Sequence, residues 1–169
     1  VADKTPDTLA KVMRELGERV TRWQDTSPKL HKWLLLRIKQ QIESQGQAEG
    51  TPWPSLEQSE PRWAKLKAAL GADPRPLRWK PGEQERLVPS LINPRHPLHI
   101  FAARGDAQVF GTAVPYAARH QNGTGVNPYG EPIPRRPLVT LSERSRSRLA
   151  QLLAIYIARG QTRGNRWDQ

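Results

Sequence analysis

Sixteen prolines in 169 residues constrain this chain more than any other feature. Each fixes its own φ and removes a backbone donor, so long helix interiors and central strands are closed to it. With twelve glycines they make up about 17% of the chain, against a usual share of roughly 12%. Short elements joined by many turns and long loops are the expected result. Where the prolines fall is equally informative. Thr5-Pro6 and Ser27-Pro28 each set a capping hydroxyl before a proline at the first helical position. "GQAEGTPWPSLEQ" and "ADPRPLRWKPGEQ" instead interrupt the chain.

Between these breaks the apolar spacing defines the elements. Leu9, Val12, Met13, Leu16, Val20 and Trp23 recur at helical spacing and form one stripe. A second helix runs to about Ser44, with Leu30, Trp33, Leu34, Ile38 and Ile42 inward. The short link at 24–26 predicts an antiparallel helical hairpin. A third helix near Glu60 to Leu70 carries Trp63, Leu66 and Leu70. From Arg86 the period reads as two, giving candidate strands at 86–92, 97–103, 107–114 and 137–141. Arg104-Gly105-Asp106 supplies a hairpin turn, and residues 122–134 read as a loop without a packing pattern. Thr140 to Glu143 fits a capping box that starts a last helix ending at Gly160. The fold class expected is α+β: an N-terminal helical hairpin (1–49), a domain over 50–160 with a small antiparallel sheet and a closing amphipathic helix, and a polar tail (161–169).

Lys and Arg number 27 against 16 Asp and Glu, a net charge of +11. The excess is +2 over residues 1–50 and +3 over 51–134. Over 135–169 it is +6, and every basic residue there is arginine. Such a chain is attracted to polyanions or to an acidic protein surface. Arg144 and Arg148 lie one helical turn apart, with Arg135, Arg136, Arg146 and Arg159 at the same end of the chain. Crowded like charges suit a counter-surface, either DNA phosphate or an acidic subunit, with a plain solvated arginine face as the default alternative. Arg135, Arg144, Arg146 and Arg148 are therefore the candidate contacts. There is no cysteine, which excludes disulfides and thiolate chemistry. No segment has the run of apolar residues that a membrane helix requires, and a cytoplasmic site of synthesis and assembly is expected.

The residues offer little for catalysis. No nucleophile elbow, phosphate loop, dinucleotide fingerprint or zinc spacing is present. His96 and His99 diverge in extended chain and make no metal pair; His31 lies on a polar helix side. Around His120 the carboxylates are Asp106 and Glu131, which do not form a general-acid pair. The expectation is no enzyme, no cofactor and no metal. Trp53 and Trp79, in proline-rich loops, need a covering surface, either a neighbouring subunit or the chain itself.

"FGTAVPYAARHQNGTG" (110–125) reads as a strand end, a turn at Pro115 and a polar cluster, Arg119 to Asn122, before a glycine-rich loop. The cluster is open to three readings: a catalytic site, a nucleic-acid contact or a subunit joint. Together with "IPRRPLVTLSERS" (133–145) and the amphipathic helix after it, the stretch resembles the phage virion morphogenesis (tail completion) family of tailed bacteriophages. The matching positions are Gly111, Thr112, Tyr116, Ala117, His120, Gln121, Gly123, Ile133, Pro134, Arg136 and Pro137, and "GTPWPSL" (50–56) resembles an upstream motif of that family. The resemblance covers about residues 50–158.

The resemblance implies a structural virion protein at the head–tail junction, forming a ring, commonly of six copies, around the DNA path. Its partners would be copies of itself, neighbouring neck, connector and tail proteins, and DNA passing without base readout. In this reading Tyr116 anchors the strand end in the core, and His120, Gln121 and Gly123 shape the corner. Arg136-Pro137 closes it, the 122–134 loop reaches a neighbour, and Trp53 lies at a subunit contact. The alternatives are a free nucleic-acid-binding protein or an assembly factor absent from the particle; a small cell-wall hydrolase would be the enzymatic one.

Overall fold

A computed structural model of the chain describes residues 5–77, 87–104 and 106–160. The elements in order are α1 (Thr5–Thr21), a 3-10 turn (Trp23–Thr26), α2 (Ser27–Glu43), a second 3-10 turn (Gln47–Glu49), α3 (Leu56–Ser59), α4 (Pro61–Ala69), α5 (Leu87–Ile92), β1 (His99–Arg104), β2 (Ala107–Thr112), α6 (Ala117–Asn122) and α7 (Glu143–Arg159). Among the described residues this is an α+β fold with one two-stranded antiparallel sheet.

The chain divides into two compact units, one of Val1–Trp33 with Glu143–Gln169 and one of Leu34–Ser142. The boundary therefore falls inside α2. The closing helix clusters with the N-terminal helix, not with the 50–142 segment to which the sequence had joined it. The expected 161–169 tail, Trp79, Arg86 and the hairpin's Gly105 lie outside the described residues.

In the first unit α1 forms where the stripe places it, but of the stripe only Leu16 and Trp23 are half-buried. Leu9, Val12, Met13 and Val20 are 46 to 64% exposed. What docks α1 is its polar edge. Arg19 Nη1 donates to the carbonyls of Ile157 (3.1 Å) and Ala158 (2.9 Å), while Glu15 Oε2 holds Nη2 at 3.0 Å. Those carbonyls are orphan acceptors at the end of α7, and a cation there also meets the negative end of the helix dipole. These bonds tie α1 to the end of α7, a link that the periodicity does not predict.

In the second unit the core is built from Ile38, Ile42, Trp53, Leu87, Val88, Leu91, Val114 and Leu138. Ser55 caps α3 by accepting from Gln58 N, and Pro61 opens α4 at a position that needs no donor. β1 and β2 pair from His99 opposite Thr112 to Arg104 opposite Ala107, which leaves a two-residue connection. α5 is tied to this hairpin by Ser90 Oγ with Thr112 Oγ1 (2.6 Å) and by the His99 ring with Ser90 O (2.7 Å).

Two expected strands are absent. Residues 87–92 are helix: Leu87, Val88 and Leu91 are buried on one helical face, and Pro89 costs little in a first turn whose N–H groups are unpaired anyway. Residues 137–141 form no strand, and the chain bends at Leu138 and Val139. α7 starts at Glu143, two residues after the Leu141 start that a Thr140 cap implies, and Ser142 N donates to Glu49 Oε2 (2.7 Å).

Candidate functional site

The corner between β2 and residue 142 is where most of the singled-out residues meet. The polar run after Pro115 is not coil but the short helix α6. Gly123 ends it at φ +70°, with its N–H on Arg119 O. A Cβ on Gly123 would lie 2.7 Å from Arg135 N, so both the left-handed backbone and the close approach require glycine.

α6 lies against the 135–139 segment and supplies the bonds a strand would have given it. Gln121 Oε1 accepts from Leu138 N (2.7 Å) and Val139 N (3.1 Å), and its Nε2 donates to Val139 O (3.3 Å). His120 O accepts from Arg136 N at 2.7 Å. From the other side the buried amide of Gln41 donates to Pro137 O (3.4 Å) and Thr51 Oγ1 (2.9 Å) and accepts from Glu49 N (3.0 Å). Two glutamine side chains thus do the work of missing ladder bonds. Buried backbone groups must be paired by something.

At the centre is a buried ion pair. Arg136 is 1% exposed and Glu60 3%, with Nη2 and Oε2 2.6 Å apart. Arg136 Nη2 also donates to Ser59 Oγ (3.0 Å). Burial lowers Arg136 below the ordinary guanidinium value, and Glu60 pulls it back up by charge and hydrogen bond. Asn127 Nδ2 reaches Glu60 Oε1 (3.4 Å) and Glu131 Oε2 (2.9 Å), and its Oδ1 accepts from Tyr129 N (2.9 Å) and Glu131 N (3.1 Å). Glu131 in turn caps α4, accepting from Arg62 N (2.9 Å) and Trp63 N (3.4 Å). Desolvation raises the Glu131 carboxyl pKa, but the Asn127 bond, these two N–H bonds and the Arg62 charge outweigh it and leave it lowered. The 122–134 loop is therefore pinned to α4 and not free, as its composition suggests. The Tyr129 ring lies 5.9 Å from that of Trp63.

His120 is neutral here. Burial first, then the Arg136 charge, lowers it from 6.5 to about 4. Its Nδ1 is buried with no hydrogen-bond partner, and its ring meets Tyr116 edge-on at 6.1 Å. With its neighbouring carboxylates already spent on Arg136, Asn127 and α4, the arrangement holds chain segments together.

The structure corrects two of the candidate roles. Tyr116 does not anchor the core: it is 41% exposed, at the start of α6. Trp53 is a core residue. Gly46, at φ +90°, lets it in, since a Cβ there would meet the indole at 2.6 Å. Its ring is covered by its own chain and presents no surface to a neighbour. His120, Gln121, Gly123, Arg136 and Pro137 do meet at the corner, with Arg135 exposed beside them. Arg144, Arg146 and Arg148 are in the other unit on α7, the first two exposed and the third half-buried. Glu60, Ser59, Asn127 and Gln41 are not among the residues the sequence singles out, and Glu131 is weighed there only as a general acid. Asn127-Pro128-Tyr129-Gly130 is a turn signature that points to Asn127; nothing local marks Glu60 or Gln41 as buried.

Among the described residues no group of three or more His, Asp or Glu is placed to hold a metal ion, and no helix is long and apolar enough to cross a membrane. Comparison with curated proteins and with solved structures gave no match. Among protein-family models, residues 2–158 match the phage virion morphogenesis family. That match spans both units, the corner and the helices on either side of it, and the chain belongs to the phage virion morphogenesis family.

Proposed function

We propose that the chain is a structural protein of a tailed-phage particle that completes the tail and joins it to the head. In this reading it forms a ring, of about six copies by the family resemblance, around the DNA path, after assembly in the host cytoplasm. It catalyses no reaction and needs no cofactor. Its partners are its own copies, the adjoining neck, connector and tail proteins, and DNA passing through the lumen.

The observation that carries this reading is the corner. Arg136, Glu60, Asn127, Glu131, Gln121 and Gln41 are committed to internal bonds that fix one loop against one helix. This rigid frame presents three large apolar side chains outward, Tyr116, Val126 and Tyr129, beside the exposed Arg119 and Arg135. A stiff frame with an apolar rim suits a protein contact, because little ordering entropy is lost on binding. Membership of a phage virion family supports a role in assembly. Exposed Arg135, Arg144 and Arg146 suit contact with phosphate that reads no sequence.

Protein analysis of purified particles tests the reading. The chain is expected in finished virions at a fixed copy number. Particles lacking it are expected as separate heads and tails, and Arg136→Ala or His120→Ala is expected to lower the yield of joined particles. Its absence from mature particles would favour an assembly factor that leaves.

A further inference from the structure

Asn122-Gly123 is a peptide link with chemistry of its own. The main-chain nitrogen after an asparagine can attack that asparagine's side-chain amide carbon, and glycine, with no side chain in the way, hinders the attack least. The chain has four asparagines. Asn93 and Asn127 precede proline, whose nitrogen has no proton to lose, and Asn165 precedes arginine. Only Asn122 precedes glycine, and it is exposed.

The fold holds this pair where the attack cannot proceed. Asn122 is the last residue of α6, and Gly123 is its left-handed cap. Ring closure needs the Asn122 Cβ eclipsed with the Gly123 nitrogen about the Cα–C bond. A helical ψ of about −42° keeps the two well apart. The nitrogen is also committed. Gly123 N–H donates to Arg119 O at 2.8 Å, which stabilises the proton that the reaction must remove. Arg135 packs close on the other side, its N 2.7 Å from where a Gly123 Cβ would stand. Gln121, one residue before Asn122, ties α6 to Leu138 and Val139.

We propose that Asn122 is a site of spontaneous deamidation, held closed by the folded corner and opened whenever α6 comes away from residues 135–139. In the opened chain Gly123 N loses its proton and bonds to Asn122 Cγ. The Cγ–Nδ2 bond breaks, and ammonia leaves with that proton from a five-membered succinimide. Water then adds to one of the two ring carbonyls; nothing is oxidised or reduced. Cleavage of the new Cγ–N bond gives aspartate in an unaltered main chain. Cleavage of the original C–N bond gives isoaspartate, whose main chain is one carbon longer. Aspartate can refit the corner. Isoaspartate cannot, because the longer chain shifts Gly123 where Arg135 leaves no spare room. Opening of the corner thus leaves a covalent record. The gate acts within a single chain and needs no ring.

The full-length protein, kept in mildly alkaline buffer either folded or in urea, supplies the test. Trypsin cleavage after Arg119 isolates Asn122 on a peptide starting at His120, and a one-dalton gain on it reports conversion. Conversion in urea is expected. In the folded protein it should be at least about tenfold slower, because only the opened fraction reacts. Gln121→Ala should raise the folded rate about fivefold or more, each rate being divided by the same variant's rate in urea. Gln121→Glu should stay near wild type. Below the unfolding transition, wild-type conversion should rise with urea in step with hydrogen exchange of the Gly123 amide, a comparison that needs no variant. No gain on that peptide in urea, equal rates folded and unfolded, or a folded rate that follows neither Gln121→Ala nor Gly123 exchange would overturn the proposal.

Discussion

Arg136 shows what a single buried charge does in this fold. Its pairing with Glu60 at 2.6 Å is no proof of net stabilisation, since both ions had to leave water. Breaking the pair is another matter. Arg136→Ala leaves the Glu60 carboxylate buried without its cation and should cost about 3 to 5 kcal/mol. Changing Glu60→Gln in the same background should restore part of that loss, and urea unfolding of the two variants measures it. A lysine cannot reproduce the guanidinium fork, so Arg136→Lys should fall between wild type and alanine. His120 gives a second prediction, of pH dependence. Its folded value of about 4 lies below the ordinary 6.5, so between these values the unfolded chain binds a proton that the folded chain refuses. Its contribution is present above about pH 6.5 and is lost as pH falls toward 4. Melting temperature across that window should fall less steeply in His120→Gln than in wild type. An imidazole that titrates near 6.5 in the folded protein would contradict this.

At the scale of elements, the 135–139 segment is held by side chains where a strand partner would be expected. Gln121→Ala should orphan the N–H groups of Leu138 and Val139 and cost about 1 to 3 kcal/mol, with faster amide exchange at those two positions. Gln121→Glu keeps the acceptor and should restore their protection. This device also explains which elements the sequence made legible. α1, α2, α4, α7 and the β1–β2 hairpin follow from spacing, caps and turn residues, because those signals act between neighbours in the chain. The strands expected at 86–92 and 137–141 fail because a short apolar run fits either period. What decides each is a partner far along the chain: the Thr112 hydroxyl for α5, and Gln121 and Gln41 for the 137–141 segment. His120, Gln121, Gly123, Arg136 and Pro137 could be read as one corner from their motif. Glu60 could not, since 76 residues separate it from Arg136. Tyr116 and Trp53 exchanged their expected places for the same reason: an aromatic's spacing does not say whether its own chain covers it.

For the molecule as a whole, charge and family point the same way. The +11 excess is concentrated after residue 134, and Arg135, Arg144 and Arg146 are exposed. If these arginines meet DNA only as assembled copies, an isolated chain should bind duplex weakly. The assembly should bind more tightly, with log affinity falling linearly in log salt. Arg144→Glu with Arg146→Glu should flatten that slope without changing any sequence preference. The central claim is that this chain works as many copies fixed around a passage. Native mass measurement of the purified full-length protein, over a range of concentrations, tests it most directly. The account predicts one dominant species at a fixed multiple of the chain mass, well above two, and its loss in Arg136→Ala. A wild-type protein that stays a single chain at the highest concentrations would contradict it.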